Sequence, residues 1–173
     1  VYKEKVIVPS WVENIDIIGE DRDKTIITYD DHANINKMGT FRTYTVKVEG
    51  SDITFKNLTI ENNAAQLGQA VALHTEGDRL KFINCRILGN QDTIYTGSKY
   101  GYVFKHCKLT AEPGVDKVYL GRPWRPYAYT LFIECELGKH IVLAGWHNWG
   151  KQSNEETARY MEYKNTGEGA NAS

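Results

Sequence analysis

The chain has 173 residues, 41% apolar and 25% charged, with a net charge of −1. That suits one domain with a buried core and excludes disorder as the default. The charge balance leaves no electrostatic footprint for nucleic acid or an anionic membrane, and no apolar run reaches the ~18 residues of a membrane span.

In chain order, the sequence opens abruptly at Val1-Tyr2-Lys3-Glu4, with no charged-then-apolar leader of its own. A faint alternating run, Ile15 to Ile18, follows. Four clearer copies come next: Ile53–Ile60, Leu80–Ile87, Tyr102–Leu109 and Thr130–Leu137. Each alternates apolar and polar residues, the period of a strand with one buried face. Phe55, Phe82, Phe104 and Phe132 share one register, at spacings of 27, 22 and 28 residues. Leu58, Cys85, Cys107 and Cys135 share another. The turn residues Gly50, Asp52, Gly77, Asp78, Gly89 and Asn90 lie between the copies. A repeat of this length fits one turn of a β-solenoid, in which equivalent residues stack about 4.8 Å apart. The expectation is an all-β fold, a right-handed parallel β-helix forming a single-stranded solenoid. An antiparallel sandwich is the rival, but it does not explain why one residue type returns at one place. Helix is expected only as one or two turns within Ser153–Tyr163. The three cysteines form no C-x-x-C pair, which argues against zinc or a disulfide scaffold. A dry thiol ladder is the favoured reading, with oxidation between neighbours left open.

Three runs do not read as repeat filler: Gly68-Gln69-Ala70-Val71-Ala72-Leu73, Gly89-Asn90-Gln91-Asp92-Thr93-Ile94-Tyr95 and Tyr119-Leu120-Gly121-Arg122-Pro123-Trp124. Gln69 and Asp92 are 23 residues apart, about one coil, so both are expected on one sheet. Each residue has a plainer alternative. An Asp after Gly-Asn is ordinarily a turn former, a solenoid Gln often joins an amide ladder, and Arg122 is otherwise a surface cation. For Asp92 and Gln69 the functional reading leads, followed by Arg122 and Trp124. For Trp146 and Trp149 packing is expected.

Together with Tyr2-Lys3-Glu4-Lys5-Val6, Gly39-Thr40, Phe55-x-Asn57-Leu58-Thr59-Ile60 and Gly145-Trp146-His147-Asn148-Trp149, these runs resemble the pectin methylesterases in family order over nearly the whole chain. The resemblance implies a right-handed parallel β-helix that hydrolyses galacturonate methyl esters in pectin, giving methanol and pectate, with no metal or organic cofactor. It implies Asp92 as general acid then base, Gln69 and Gln91 as oxyanion donors, Arg122 as the cation orienting a nucleophilic aspartate, and Trp124 as the sugar platform. These roles make chemical sense. A carboxylate nucleophile needs orientation and partial desolvation, and neutral amides stabilise an oxyanion without quenching carboxylates. A secreted or periplasmic monomer acting on methylated homogalacturonan is expected, with no nucleic-acid or membrane partner.

The sequence departs from the family at one point. The family's Gly-x-Val-Asp-Phe-Ile-Phe-Gly run, which carries the nucleophile, is absent. Past Tyr95-Thr96-Gly97-Ser98 the chain passes into Lys99-Tyr100-Gly101-Tyr102, which resembles a later family strand. About two coils, on the order of 45 residues, are therefore expected to be missing at Ser98–Lys99, with both ends of the domain trimmed. Either the molecule lacks those coils, or residues 98 and 99 are joined across a stretch of the natural chain. Glu112 and Asp116 follow Asp92 at about one coil, but both read as turn or strand-edge residues. Two other classes stand beside the esterase: a catalytically impaired pectin-binding β-helix, and a lyase or polygalacturonase. No acidic cluster has calcium-ligand spacing. No histidine sits beside a serine elbow, which argues against a serine esterase. Asn57-Leu58-Thr59 and Asn171-Ala172-Ser173 match glycosylation acceptors, but the first falls inside an expected strand.

Overall fold

The computed structural model describes residues 1–97, 101–111 and 113–170. The Ser98–Lys99 junction, Glu112 and the acceptor Asn171-Ala172-Ser173 lie outside the described residues. The chain winds through successive coils. The first holds β1 (Tyr2–Lys3), β2 (Val6–Val8) and β3 (Asp16–Ile18). The second holds β4 (Ile26–Tyr29), β5 (Val46–Val48) and β6 (Thr54–Lys56). The third holds β7 (Thr59–Asn62), β8 (Leu73–Thr75) and β9 (Leu80–Ile83), and the fourth β10 (Arg86–Leu88), β11 (Ile94–Thr96) and β12 (Tyr102–Lys105). Then come β13 (Lys108–Leu109), β14 (Tyr129–Ile133), β15 (Glu136–Leu137), one helix α1 (Gln152–Thr157) and β16 (Arg159–Tyr163).

Among the described residues these strands form three parallel sheets. The first sheet is ordered β1-β4-β7-β10-β13-β15, the second β2-β5-β8-β11, and the third β3-β6-β9-β12-β14-β16. The fold is therefore the expected right-handed parallel β-helix. The one or two helical turns expected within Ser153–Tyr163 are present, beginning one residue earlier. One helix covers Gln152–Thr157, and Arg159–Tyr163 is a strand paired with β14. Tyr160 there stacks on Trp146, so the aromatic column holds the segment extended.

Register places Phe55 opposite Phe82, Phe82 opposite Phe104, and Phe104 opposite Phe132. Their rings stack at centroid distances of 5.2, 4.9 and 4.7 Å. Ile17 begins this column, opposite Phe55. At its far end Phe132 meets Trp146 at 6.0 Å. The register partner of Phe132 is Glu162, whose carboxylate accepts the Trp146 indole N–H at 3.0 Å. Beside the rings run Leu58, Cys85, Cys107 and Cys135, all buried, and the three thiols are free. Each thiol donates to a phenylalanine carbonyl one coil back: Cys85 to Phe55, Cys107 to Phe82 and Cys135 to Phe104, at 3.3–3.4 Å. Burial pushes the Cys85 thiol up to about 11. The hydrogen bond with Cys135, and then burial, push Cys107 upward too. The thiols are packing groups rather than nucleophiles.

Left-handed residues turn the corners of the coil. Asp52 and Asn57 flank β6, Arg79 and Asn84 flank β9, and Gly101 and His106 flank β12, all at positive φ. Asn57 is thus a corner residue rather than the strand-interior residue expected. Its amide oxygen accepts from Asn84 Nδ2 at 2.8 Å. Asn and Asp tolerate the left-handed region, whereas His106 and Glu134 occupy it at a cost. The corner before β9 is also tight: a Cβ on Gly77 would collide with the Gly50 carbonyl of the preceding coil.

The second sheet stops at β11. The next segment on that flank pairs forward instead, through isolated bridges of Val118 to Ile141 and Gly121 to Trp146. Among the described residues no strand pairs with the outer edge of β11.

Two predictions follow from this packing. Phe82→Ala, which removes a ring stacked on both sides, is expected to cost about 3–5 kcal/mol in urea unfolding. His106→Asn, a residue better suited to the left-handed corner and able to extend the Asn57–Asn84 pair, is expected to raise stability by roughly 0.5–1 kcal/mol in the same assay.

Candidate functional site

A cleft of about 560 Å³ opens on the flank between β11 and residues 117–122. Gln91, Asp92, Arg122 and Trp124 all line it, so four of the five expected site residues share one concavity. The fifth, Gln69, lies on the neighbouring coil. The Ala70 N–H donates to the Gln91 carbonyl at 3.0 Å, which holds the two runs side by side. Gln69 itself is half-buried and lies outside the cleft lining.

The local chain explains these placements. Asn90 anchors the turn before Asp92 by donating to the Ala64 carbonyl at 2.8 Å. Asp92 follows at φ 55°, a left-handed residue just ahead of β11. On the opposite wall, Leu120 and His147 hold the Gly121 region to the next coil by backbone hydrogen bonds to Gly145 and from His147 to Gly121. Gly121 is required there, because a Cβ would meet the Trp146 ring at 2.7 Å. This places the Arg122 guanidinium 3.4 Å from Asp92 Oδ1. The two side chains are 39% and 34% exposed, so solvent screens the pair. Its worth to stability is about 0–1 kcal/mol, and its main effect is orientation.

Trp149 differs from expectation. It packs in the cleft rather than in the core: Arg122 lies over its ring at 4.1 Å, and Trp124 meets it edge-on at 5.7 Å. Trp146 does pack inside, stacked on Tyr160 at 4.2 Å. Tyr95 and Phe41, neither given a role from the sequence, also line the cleft. Tyr95 meets Phe41 at 5.1 Å and Trp124 at 6.1 Å, and Phe41 meets Trp124 at 6.0 Å. Tyr95 was legible from alternation, since its column on β8 and β5 is His74 and Lys47, on the outer face. Phe41 was not, because it arrives on a loop. Asn62, buried, reaches the carbonyls of Asp31, Thr43 and Val71 at 3.0–3.1 Å and pins that loop to the coil.

Asp92 is the one carboxylate among the described residues lining the cleft. Asp116 is exposed and outside the lining, and Arg122 pairs with Asp92 rather than with it. Among the described residues no group of three or more His, Cys, Asp or Glu is arranged to hold a metal, and no helix is long and apolar enough to cross a membrane.

Fold and cleft together define a class: a parallel β-helix whose flank carries a cleft lined by an acid, a cation and a row of aromatic faces. The Pectinesterase family model matches residues 1–112 and 97–173, two stretches that overlap. The chain belongs to the pectinesterase family. Pectinesterase 31 of Arabidopsis thaliana is 30% identical over 228 residues, covering 98% of this chain and 72% of that protein. Probable pectinesterase/pectinesterase inhibitor 23 of Arabidopsis thaliana is 30% identical over 231 residues, covering 99% of this chain and 41% of that protein. The chain thus spans about two fifths of the length of the first curated relatives it matches. Among solved structures, the pectin methylesterase from carrot superimposes with a TM-score of 0.67 at 27% identity, covering 99% of this chain and 72% of that one. The pectin methylesterase from Yersinia enterocolitica gives 0.66 at 23% identity, covering 99% and 84%.

His140 borders the deep end of the cleft, and burial holds its imidazole below the ordinary histidine value. The folded state therefore binds this proton less readily than the unfolded chain. Its contribution is favourable above pH ~6.5 and is lost as pH falls from there through the depressed folded value. His140→Gln is expected to flatten the loss of stability on acidification below pH ~6.5, read as urea midpoints against pH.

Proposed function

We propose that the cleft takes methyl-esterified galacturonan and that hydrolysis of its methyl ester is the reaction for which the site is built. The observation carrying this reading is Asp92 held 3.4 Å from Arg122 in an aromatic-lined cleft, in a chain of the pectinesterase family. In this reading a carboxylate nucleophile from outside the described cleft attacks the ester carbonyl, Asp92 gives a proton to the departing methanol, and Asp92 then takes one from the water that cleaves the resulting acyl-enzyme ester to the pectate carboxylate. Gln91, with Gln69 beside it, donates N–H groups to the ester oxygen as charge develops there. Arg122 fixes the carboxylate chemistry in place, and Trp124 offers a flat face to a sugar ring. In this reading the substrate is a cell-wall polysaccharide, and the protein works as a secreted or periplasmic one.

One observation favours a second reading. Asp92 stands alone as a carboxylate in the described cleft, so no described side chain takes the nucleophile's part. A chain in that condition binds galacturonan without turning it over at an esterase's rate.

Methanol release from methylated pectin, measured beside binding of methylated oligogalacturonides, separates the two. The first reading expects release that falls ~10²–10⁴-fold in Asp92→Asn. The second expects binding with release no greater than that of Asp92→Asn. In both, Trp124→Ala is expected to weaken binding about tenfold. A protein that neither binds nor releases methanol overturns both.

A further inference from the structure

We infer that the open edge of β11, with the apolar notch behind it, accepts an extended strand from a separate polypeptide as a fifth, parallel strand of the second sheet. The backbone pattern identifies that edge. The Thr93 carbonyl accepts from Leu73, and the Gly97 N–H donates to Thr75, so the odd-numbered residues of this stretch face β8. Parallel pairing alternates, so Ile94 and Thr96 aim their N–H and C=O groups the other way. Among the described residues no strand meets them.

The notch belongs to this one sheet. In the first sheet β10 pairs directly with β13, and in the third β9 pairs directly with β12. In the second, β11 and residues 118–121 face each other across the cleft instead. Behind the rim the cleft reaches residues that a solenoid normally roofs with sheet: Ile87, Phe104, Leu109, Phe132 and Ile141. A bare strand edge beside a cleft lined partly by apolar residues fits a peptide, which supplies both main-chain pairing and alternate apolar side chains.

The comparisons indicate what fits. The family model leaves and re-enters the chain over the shared residues 97–112. The alignment to the first relative runs over 231 positions, whereas this chain has 173 residues. The relatives thus carry within their own chains coil sequence that this one does not supply. The columns already present specify the occupant. Inward, Val46, Leu73 and Ile94 form one column, and Val48, Thr75 and Thr96 form another. The guest strand is therefore apolar at one inward place and Thr or Val two residues on.

The test uses the 173-residue protein and a fluorescent octapeptide copying residues 70–77, whose leucine and single threonine continue those columns. In register, its amides at the places of His74 and Glu76 face β11, as they face β5 in the intact sheet. Saturable binding is expected by fluorescence anisotropy. N-methylation at those two places is expected to weaken it at least about tenfold, and N-methylation at the places of Leu73 and Thr75 less than about twofold. Thr96→Pro in the protein, which deletes an open-edge donor and spares the β8 ladder, is expected to match the first peptide. The absence of saturable binding up to about 1 mM, or equal losses from the two methylated peptides, overturns the inference.

Discussion

Everything in this molecule hangs on in-register parallel pairing between coils. One aromatic ring falls on the next only because each coil returns to the same place, and each buried ring contributes roughly 1.5–3 kcal/mol. A slip of one residue would turn Phe55, Phe82, Phe104 and Phe132 to solvent together. The same register sets the runs of Gln69 and Gln91-Asp92 side by side on adjacent coils.

The corners show how that constraint is met. Each third-sheet strand from β6 to β12 is bracketed by two left-handed residues, and where the sequence supplies Asn the side chains bond across coils. Where it supplies His106 and Glu134, a contact of 3.2 Å between the imidazole Nε2 and the Glu134 carboxylate replaces the amide bond. That pair is exposed and offsets little of the backbone cost. The corner is the same in each case, while its chemistry drifts.

Much of the fold was legible because a repeated residue type at a repeated interval is a direct imprint of stacking. The Phe and Cys columns, the corner glycines and the faint first copy at Ile15–Ile18 all fell where periodicity put them. The short helix was legible, but the strand after it was not: Tyr160 stacks on Trp146, and Arg159–Tyr163 pairs with β14. In the cleft, Asp92, Arg122, Gln91 and Trp124 were found through short runs of polar residues that the coil does not need. Phe41 escaped because a buried asparagine and a loop, neither periodic, deliver it. Trp149 escaped because the partner that draws it from the core, Arg122, lies 27 residues earlier in the chain.

The thiol column has a consequence for how such a molecule meets changing surroundings. Each sulfur is engaged by a carbonyl one turn back and none reaches solvent. The folded protein therefore keeps its sulfurs away from reagents dissolved in the solvent, and it has no covalent bridge to lose. Only a chain that has already unravelled would expose these sulfurs to modification.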